Sequence, residues 1–385
     1  MWRAVASNAI TLLMVALFLL GGVILWGQSE YKAVGPLQEA ICLQVPRGST
    51  MARVSGDLQT QGAISNDVIF RLGADYTEKA QDLKAGSFLV PPGASMAEIV
   101  DIITRGGASS CGTEVVYRIG VARVTFELRE LDPATSRYVE KAEFDPAEGA
   151  MPEAFQQASA QAGTRHRVAL AEGVTSWQVV EGLKAIDLLQ GEVPELPAEG
   201  ALAPDSYEFQ AGDTRVEVLG RMAAAQDAIL AAAWEARAPG LPLSSPEEAL
   251  ILASIIEKET AVAEERRVVA SVFVNRLNRG MRLQTDPTVI YGITQGQGIL
   301  GRGLRQSELR RETPWNTYVI PALPPTPIAN PGRASIEAAL NPEQTDFVFF
   351  VADGTGGHVF AKTLAEHNAN VAKWRKIEAE RRAQD

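Results

Sequence analysis

Hydrophobic positions gather first near the N-terminus. Residues 9–27 read AITLLMVALFLLGGVILWG, nineteen residues without a charge. At ~1.5 Å per residue such a helix just crosses a ~30 Å hydrocarbon layer. A cleaved signal peptide is the rival reading, but WGQSEY offers no small-x-small cleavage pattern. We therefore expect a transmembrane anchor over 1–27. Arg3 and the amino terminus precede the span, while Glu30 and Lys32 follow it. That weak bias favours a cytoplasmic N-terminus, with the remaining mass outside the cytoplasm.

Beyond the anchor the pattern becomes mixed. Residues 28–40 read as a polar tether. A strand is expected at ICLQV (41–45), with helices at 65–72 and 95–104 around FLVPPG (88–93). Together they form a small module over 41–111. In 112–164, the runs VVYRI, VARVTFEL and RYVEKAEF alternate around LDPATS and predict a β-hairpin or small sheet, followed by an Ala- and Glu-rich linker or weak helix. The remainder, 165–385, predicts helices at 176–189, 216–238, 244–260 and 264–277. Loops are expected at 192–200, 280–291 and 314–332, a buried strand at 346–352, then a turn, a helix and a charged helical tail. The fold class is α+β.

Composition narrows the chemistry. With 47 acidic against 36 basic residues the net charge is -11, so nothing attracts a phosphate backbone, and nucleic acid is excluded as a first guess. His166, His358 and His367 are too scattered for a His-rich metal centre. Cys42 and Cys111 lack zinc-site spacing. Outside the cytoplasm these two cysteines are free to pair, and two unrelated buried thiols are the alternative. No metal, nucleotide or flavin fingerprint is visible, so no cofactor is expected and catalysis falls to carboxylates.

One helix nominates a carboxylate. In SSPEEALILASIIEKET (244–260) Ser245 is a good N-cap, Pro246 suits the first helical position, and Glu248 completes a capping box. Leu252, Ile255, Ile256 and Glu259 share one stripe, whereas Glu257 shares a face with Ala253 and Ser254 and reads as an ordinary surface acid. A carboxyl carried into an apolar wall is desolvated and stays protonated to higher pH, as a general acid must. The alternatives are a salt bridge to Arg266 or Arg267, or a position just past the helix end. Downstream, Gln284, Thr285, Asp286 and Thr288 crowd one loop with groups suited to sugar hydroxyls. A capped turn, with Asp286 before Pro287 acting as a helix N-cap, would explain the same residues. The Pro-rich stretch with Trp315, Asn316 and Tyr318 either walls a groove or wraps the core.

Four stretches then resemble the MltG/YceG-like endolytic murein transglycosylases: EKET (257–260), SVFVNRLNRGMRLQTDPTVIYG (271–292), NTYVIPALPPTPIANPG (316–332) and FFVADGTGGHVFAKTLAEHN (349–368). A weaker likeness covers LAEGVT (170–175), PDSYEF (204–209) and KAGSFLVPPGASMAEIVDIITRG (84–106), the last resembling the family's LysM-like module. The resemblance implies a YceG-like catalytic domain over 165–385 that cleaves the MurNAc-β-1,4-GlcNAc bond of peptidoglycan and leaves 1,6-anhydro ends. It places the single catalytic acid/base on Glu259, in agreement with the stripe. It also suggests Gln284, Thr285, Asp286, Asn316 and Tyr318 as the saccharide groove, and penicillin-binding synthases as partners. Trp315, Ala322 and Glu308 depart from the family's usual Tyr, Gly and Asp. Two other readings stay open. One is a hydrolytic muramidase whose second acid is Asp286, Asp205 or Glu257; the other is a non-catalytic peptidoglycan-binding scaffold.

Overall fold

The computed structural model describes residues 2–382 other than 47, 106–110, 136 and 161–162. The chain divides into two compact units. The first holds Met1–Val116, Glu127–Phe144 and Ala150–His166; the second holds Tyr117–Phe126, Asp145–Gly149 and Arg167–Asp385. The segment 112–164 is thus shared between them.

In the first unit the elements run α1 (Trp2–Lys32), β1 (Ile41–Val45), α2 (Met51–Thr60), α3 (Asp67–Tyr76), β2 (Gly86–Val90) and α4 (Met96–Thr104). Strands β1 and β2 pair antiparallel with Leu43 opposite Phe88. Leu43, Leu58, Phe70, Val90, Ile99 and Ile103 form the core above them, each at most 1% exposed. Helix starts are set by side chains: Asn66 accepts the N–H groups of Val68 and Ile69, and Ser95 with Glu98 makes a reciprocal capping box. A disulfide joins Cys42 to Cys111, their Cα atoms 5.8 Å apart.

Two expectations change here. Helix α2 was not anticipated, because Ser55 and Gly56 interrupt its apolar pattern, yet Met51, Val54 and Leu58 are buried at helical spacing. The expected tether at 28–40 starts as helix, since α1 continues through Lys32. The reason is packing. Tyr31 is only 8% exposed, and a Cβ at Gly73 of α3 would lie 2.2 Å from its ring. Along α1 the apolar stretch from Leu13 onward is exposed, Phe18 at 88%.

The next elements are β3 (Thr113–Ile119), β4 (Val124–Asp132), β5 (Arg137–Phe144), α5 (Glu153–Ala160), β6 (Arg165–Leu170) and β7 (Ser206–Phe209). They give one sheet ordered β5-β4-β3-β6-β7. The hairpin expected from 112–144 therefore gains two strands from the downstream chain. Helix α5 forms where the sequence suggested a linker or weak helix, anchored by Phe155 at 1% exposure.

The second unit continues with α6 (Ser176–Lys184), α7 (Arg215–Glu235), α8 (Pro246–Glu259), α9 (Arg266–Asn278), α10 (Asp286–Thr294), the short α11 (Gln306–Leu309), α12 (Arg333–Leu340), β8 (Phe349–Ala352), β9 (His358–Ala361) and α13 (Leu364–Arg382). Helix α8 is its centre and packs against α7, α9, α10 and α12. Ile251, Leu252, Ala253, Ser254, Ile255 and Ile256 are all buried, so α8 is enclosed on every side rather than amphipathic. The capping box at its start is incomplete. Ser245 accepts the Glu248 N–H at 3.3 Å, but the Glu248 carboxylate accepts from Ser244 instead, at 2.6 Å.

Three further differences bear on the site. The expected loop at 280–291 turns into α10 at Asp286, where Pro287 suits the first turn. The turn expected after 346–352 contains β9, which pairs with β8 as an antiparallel hairpin with Phe350 opposite Phe360. The strand β8 itself is only partly buried.

Candidate active site

Glu259 is the last residue of α8. The buried body of the helix carries the backbone into the core, and the helix ends there because Thr260 takes up extended geometry. The carboxyl is thus delivered among buried side chains at the carbonyl end of the helix, where the dipole disfavours an anion. It remains partly accessible. Burial holds its pKa above the usual carboxylate range; the Asp286 charge adds to that, while a hydrogen bond from Thr285 and the charges of His358 and Arg276 oppose it. Arg266 and Arg267, the alternative salt-bridge partners, are engaged elsewhere. Arg266 lies 4.0 Å from Glu172, and Arg267 Nε donates to the Asn341 carbonyl at 2.8 Å.

The hydroxyl of Thr285 donates to Oε1 of Glu259. Thr285 is the N-cap residue of α10, yet its side chain caps nothing; it is turned toward the acid. Its placement is overdetermined. Thr285 N–H donates to Thr317 Oγ1 at 3.0 Å, Thr288 Oγ1 donates to the Thr285 carbonyl at 2.8 Å, and the hydroxyls of Thr288 and Thr317 meet at 2.8 Å. The preceding Gln284 adopts φ of 50°, left-handed backbone that a side-chain-bearing residue enters only when its surroundings demand it. Arg276 supports the same turn from α9. It is 7% exposed and donates to the carbonyls of Val348 and Leu283.

The sequence-nominated residues separate into three kinds. Thr285 contacts the acid directly. Asp286 is exposed and accepts the Tyr318 hydroxyl at 2.7 Å, while the Tyr318 carbonyl accepts from Arg282 at 3.1 Å. Burial raises the Tyr318 pKa, and so does Asp286, so that hydroxyl is a lasting donor. Gln284 is exposed beside this pair. Asn316, expected in the groove, has the surroundings of a scaffold residue. It is fully buried, and its amide is consumed by the carbonyls of Glu308, Leu309 and Arg311 at 3.2, 3.2 and 2.6 Å. Its oxygen accepts the Tyr318 N–H at 3.0 Å, so it sets the strap that carries Tyr318.

Two of the three departures from the family pattern have local accounts. Trp315 packs on Tyr291 with ring centres 5.7 Å apart and gives its indole N–H to Thr326, which makes it a packing residue. Glu308 is gripped by Arg302 through both oxygens, and its carboxyl is held down at about 2. Nothing in the structure explains Ala322. The far end of the Pro-rich strap wraps the core: Ile328 N–H donates to Ser254 Oγ at 3.0 Å, and the buried Asn330 bonds Val174 and Leu202.

A cavity of about 360 Å³ lies at the acid, lined by Val121, Glu172, Gly173, Glu257, Lys258, Glu259, Thr260, Ala261 and Arg266. Glu257 is therefore not a free surface acid; its Oε2 accepts the Gly332 N–H at 3.0 Å. Of the other candidate second acids, Asp205 accepts from Ser206 at the start of β7, which leaves Asp286 as the carboxylate whose charge reaches Glu259. Sequence reasoning missed Glu172, Arg276 and Thr317. Arg276 was visible as a charge on the apolar face of α9 with Val269, Val272 and Phe273. His358 Nδ1 lies 2.8 Å from Glu265, and His367 stacks on Phe349.

A carboxyl raised by burial, a hydroxyl donor on one of its oxygens and an adjoining cleft make up the candidate site. The YceG-like family matches residues 43–373, and the chain belongs to that family. It is similar to an endolytic murein transglycosylase of Bacillus subtilis (strain 168), 27% identical over 357 residues that cover 92% of this chain and 91% of that protein. It is also similar to the endolytic murein transglycosylase of Streptococcus pneumoniae serotype 2 (strain D39), 29% identical over 340 residues; these span 86% of this chain and 58% of that relative. A YceG-like protein from Listeria monocytogenes, solved as a crystal structure, aligns at 26% identity and a TM-score of 0.46, covering 86% of this chain and 99% of that one.

Proposed function

We propose that this protein is a membrane-anchored endolytic lytic transglycosylase that cuts the MurNAc-β-1,4-GlcNAc bond of peptidoglycan strands. The observation that carries the reading is Glu259, enclosed at the end of α8 with Thr285 donating to one oxygen. With Oε1 engaged, the other oxygen is the one that bears the proton. In the reaction Glu259 gives that proton to the glycosidic oxygen as the C1–O bond breaks. The resulting carboxylate then takes the proton of the C6 hydroxyl, whose oxygen bonds to C1. The 1,6-anhydro ring closes, no water is consumed, and the acid is restored. A single carboxyl suffices because its two tasks are sequential.

Asp286, Tyr318 and Gln284 are assigned to the saccharide groove, with Asp286 also holding Glu259 protonated. The α1 span is assigned as the anchor of a single-pass inner-membrane protein, with the rest on the periplasmic side. That placement agrees with the Cys42–Cys111 bridge, which belongs to an oxidising compartment. The 41–111 module is assigned a LysM-like glycan-holding role, and penicillin-binding synthases are the assigned protein partners.

The test is product analysis on uncrosslinked strands. The wild type should leave anhydro-muramyl ends, and Glu259→Gln should lower the rate by about 10³-fold or more with an unchanged melting temperature. Reducing ends instead would make the enzyme a hydrolase with Asp286 as its second acid. An undiminished rate in Glu259→Gln would remove Glu259 from the mechanism.

A further inference from the structure

The first unit carries an apolar surface that its fold leaves uncovered. On α3, Val68, Leu72 and Tyr76 recur every four residues and are 49%, 62% and 80% exposed. At 100° per residue they form one stripe. Phe70 and Ala74, on the opposite side, are fully buried, so α3 has one apolar face for the core and another for something outside it. A contiguous exposed stripe of this kind marks a contact surface.

The position of α3 says what the contact is. Its contacts with α1 include these: Ser65, next to its N-cap, donates to Glu30 at 2.7 Å, and Gly73 meets the ring of Tyr31. Those points are eight residues apart on one segment but adjacent on the other. Helices lying side by side would meet at residues eight apart on both, so α3 crosses α1 instead of running along it. Tyr31 lies four residues past the end of the charge-free run at Gly27, about 6 Å along the helix. A headgroup layer is roughly 5–8 Å thick.

We propose that α3 lies across the headgroup layer of the bilayer and sinks Val68, Leu72 and Tyr76 into its apolar boundary, as a second membrane contact beside the anchor. The inference rests on the reading of α1 as a membrane span. Tyr76 suits such a boundary, with an apolar ring and a polar tip. Asp67 and Asp75 on α3 and the net charge of -11 give no attraction to anionic lipid, so the contact is apolar and insensitive to salt.

The experiment uses the full chain in zwitterionic nanodiscs, one molecule per disc, with a fluorophore on Leu72→Cys, Phe18→Cys or Val216→Cys in turn. Both native cysteines are engaged in the disulfide and do not compete for the label. Nitroxide lipids quench at headgroup or deep acyl depth. The Leu72 label should be quenched at least threefold more by the headgroup nitroxide than the label at Val216, which is exposed on the second unit, and equally so in low and high salt. Adding Val68→Gln and Tyr76→Gln should at least halve that quenching. If Phe18 is quenched by the deep nitroxide while Leu72 matches Val216, the anchor stands and the α3 contact is overturned. If Phe18 is unquenched, both readings fall. Shielding of Leu72 that appears only with two molecules per disc would mean that a second copy, not lipid, covers the stripe.

Discussion

Thr285 and Glu259 are joined through a single hydroxyl: Thr285 Oγ1 donates to Oε1 of the acid that ends α8. A hydrogen bond to the charged form favours ionisation, so this contact pulls against the burial that raises the carboxyl. The opposition is useful to a group that must first be an acid and then a base. Too much burial would leave it unable to release its proton, and too little would leave it ionised before substrate arrives.

Thr285→Val should therefore raise the Glu259 pKa further. Activity that needs the protonated acid falls as pH rises past that value, so the alkaline limb of the kcat/KM profile should move to higher pH. The rate at the optimum should drop by about tenfold, because the carboxylate formed in mid-reaction loses a donor. Thr285→Ser should restore both. A profile that does not move in Thr285→Val would disconnect the hydroxyl from the acid.

Asp286→Asn should shift the same limb the opposite way. Removing the charge removes one cause of the raised Glu259 pKa, so the acid ionises at lower pH and the alkaline limb retreats. Asn keeps an acceptor for the Tyr318 hydroxyl, which confines the change to charge. The contrary shifts of the Thr285 and Asp286 variants, measured in one buffer series, separate electrostatics from general damage.

Asn316→Ala should act on stability before chemistry. It strips donors from three carbonyls and the acceptor from Tyr318 N–H in a fully buried place. A loss of about 2–3 kcal/mol is expected, seen as a melting transition several degrees lower. Residual activity should carry a raised KM, since Tyr318 rides on the displaced strap. A variant as stable as the wild type would return Asn316 to the groove.

The Cys42–Cys111 bridge closes a loop with a sequence separation of 69, for which chain-entropy arguments give a contribution of up to about 4 kcal/mol. Cys42→Ser with Cys111→Ser should lower the midpoint of denaturant unfolding for the first unit. The acid site, built wholly within the second unit, should keep its melting behaviour. Equal destabilisation of both transitions would show that the units unfold together.

Which of these features were legible beforehand depended on how local their causes are. The start of α8 was readable because Ser245 and Pro246 set it within a few residues, whereas the single apolar stripe that nominated Glu259 is absent, because α8 is buried on all sides and Glu259 is its last residue. The neighbours of α8 were not readable. Ala253 and Ser254 look solvent-tolerant, yet both are fully buried, and Ser254 Oγ accepts the N–H of Ile328, far along the chain. The role of Asn316 was hidden although its partners are close in sequence, the carbonyls of Glu308, Leu309 and Arg311, since a polar residue in a Pro-rich strap reads as exposed until such carbonyls converge on it. Thr285 was nominated for sugar, whereas its closest partner is the acid itself. Helix α10 opens where the polar groups of 284–288 suggest a loop, with Thr285 rather than Asp286 at the N-cap position.

The ring of Tyr31 occupies the space that any side chain at position 73 would need. Where a soluble version of this protein begins is therefore not a free choice. Trimming at the last helical residue, Lys32, would remove the ring and leave an open slot against Gly73, whereas starting at residue 28 keeps it. The slot could be refilled from the other side, for Gly73→Leu would be harmful in the full chain but tolerated, and even stabilising, in one that starts at residue 33.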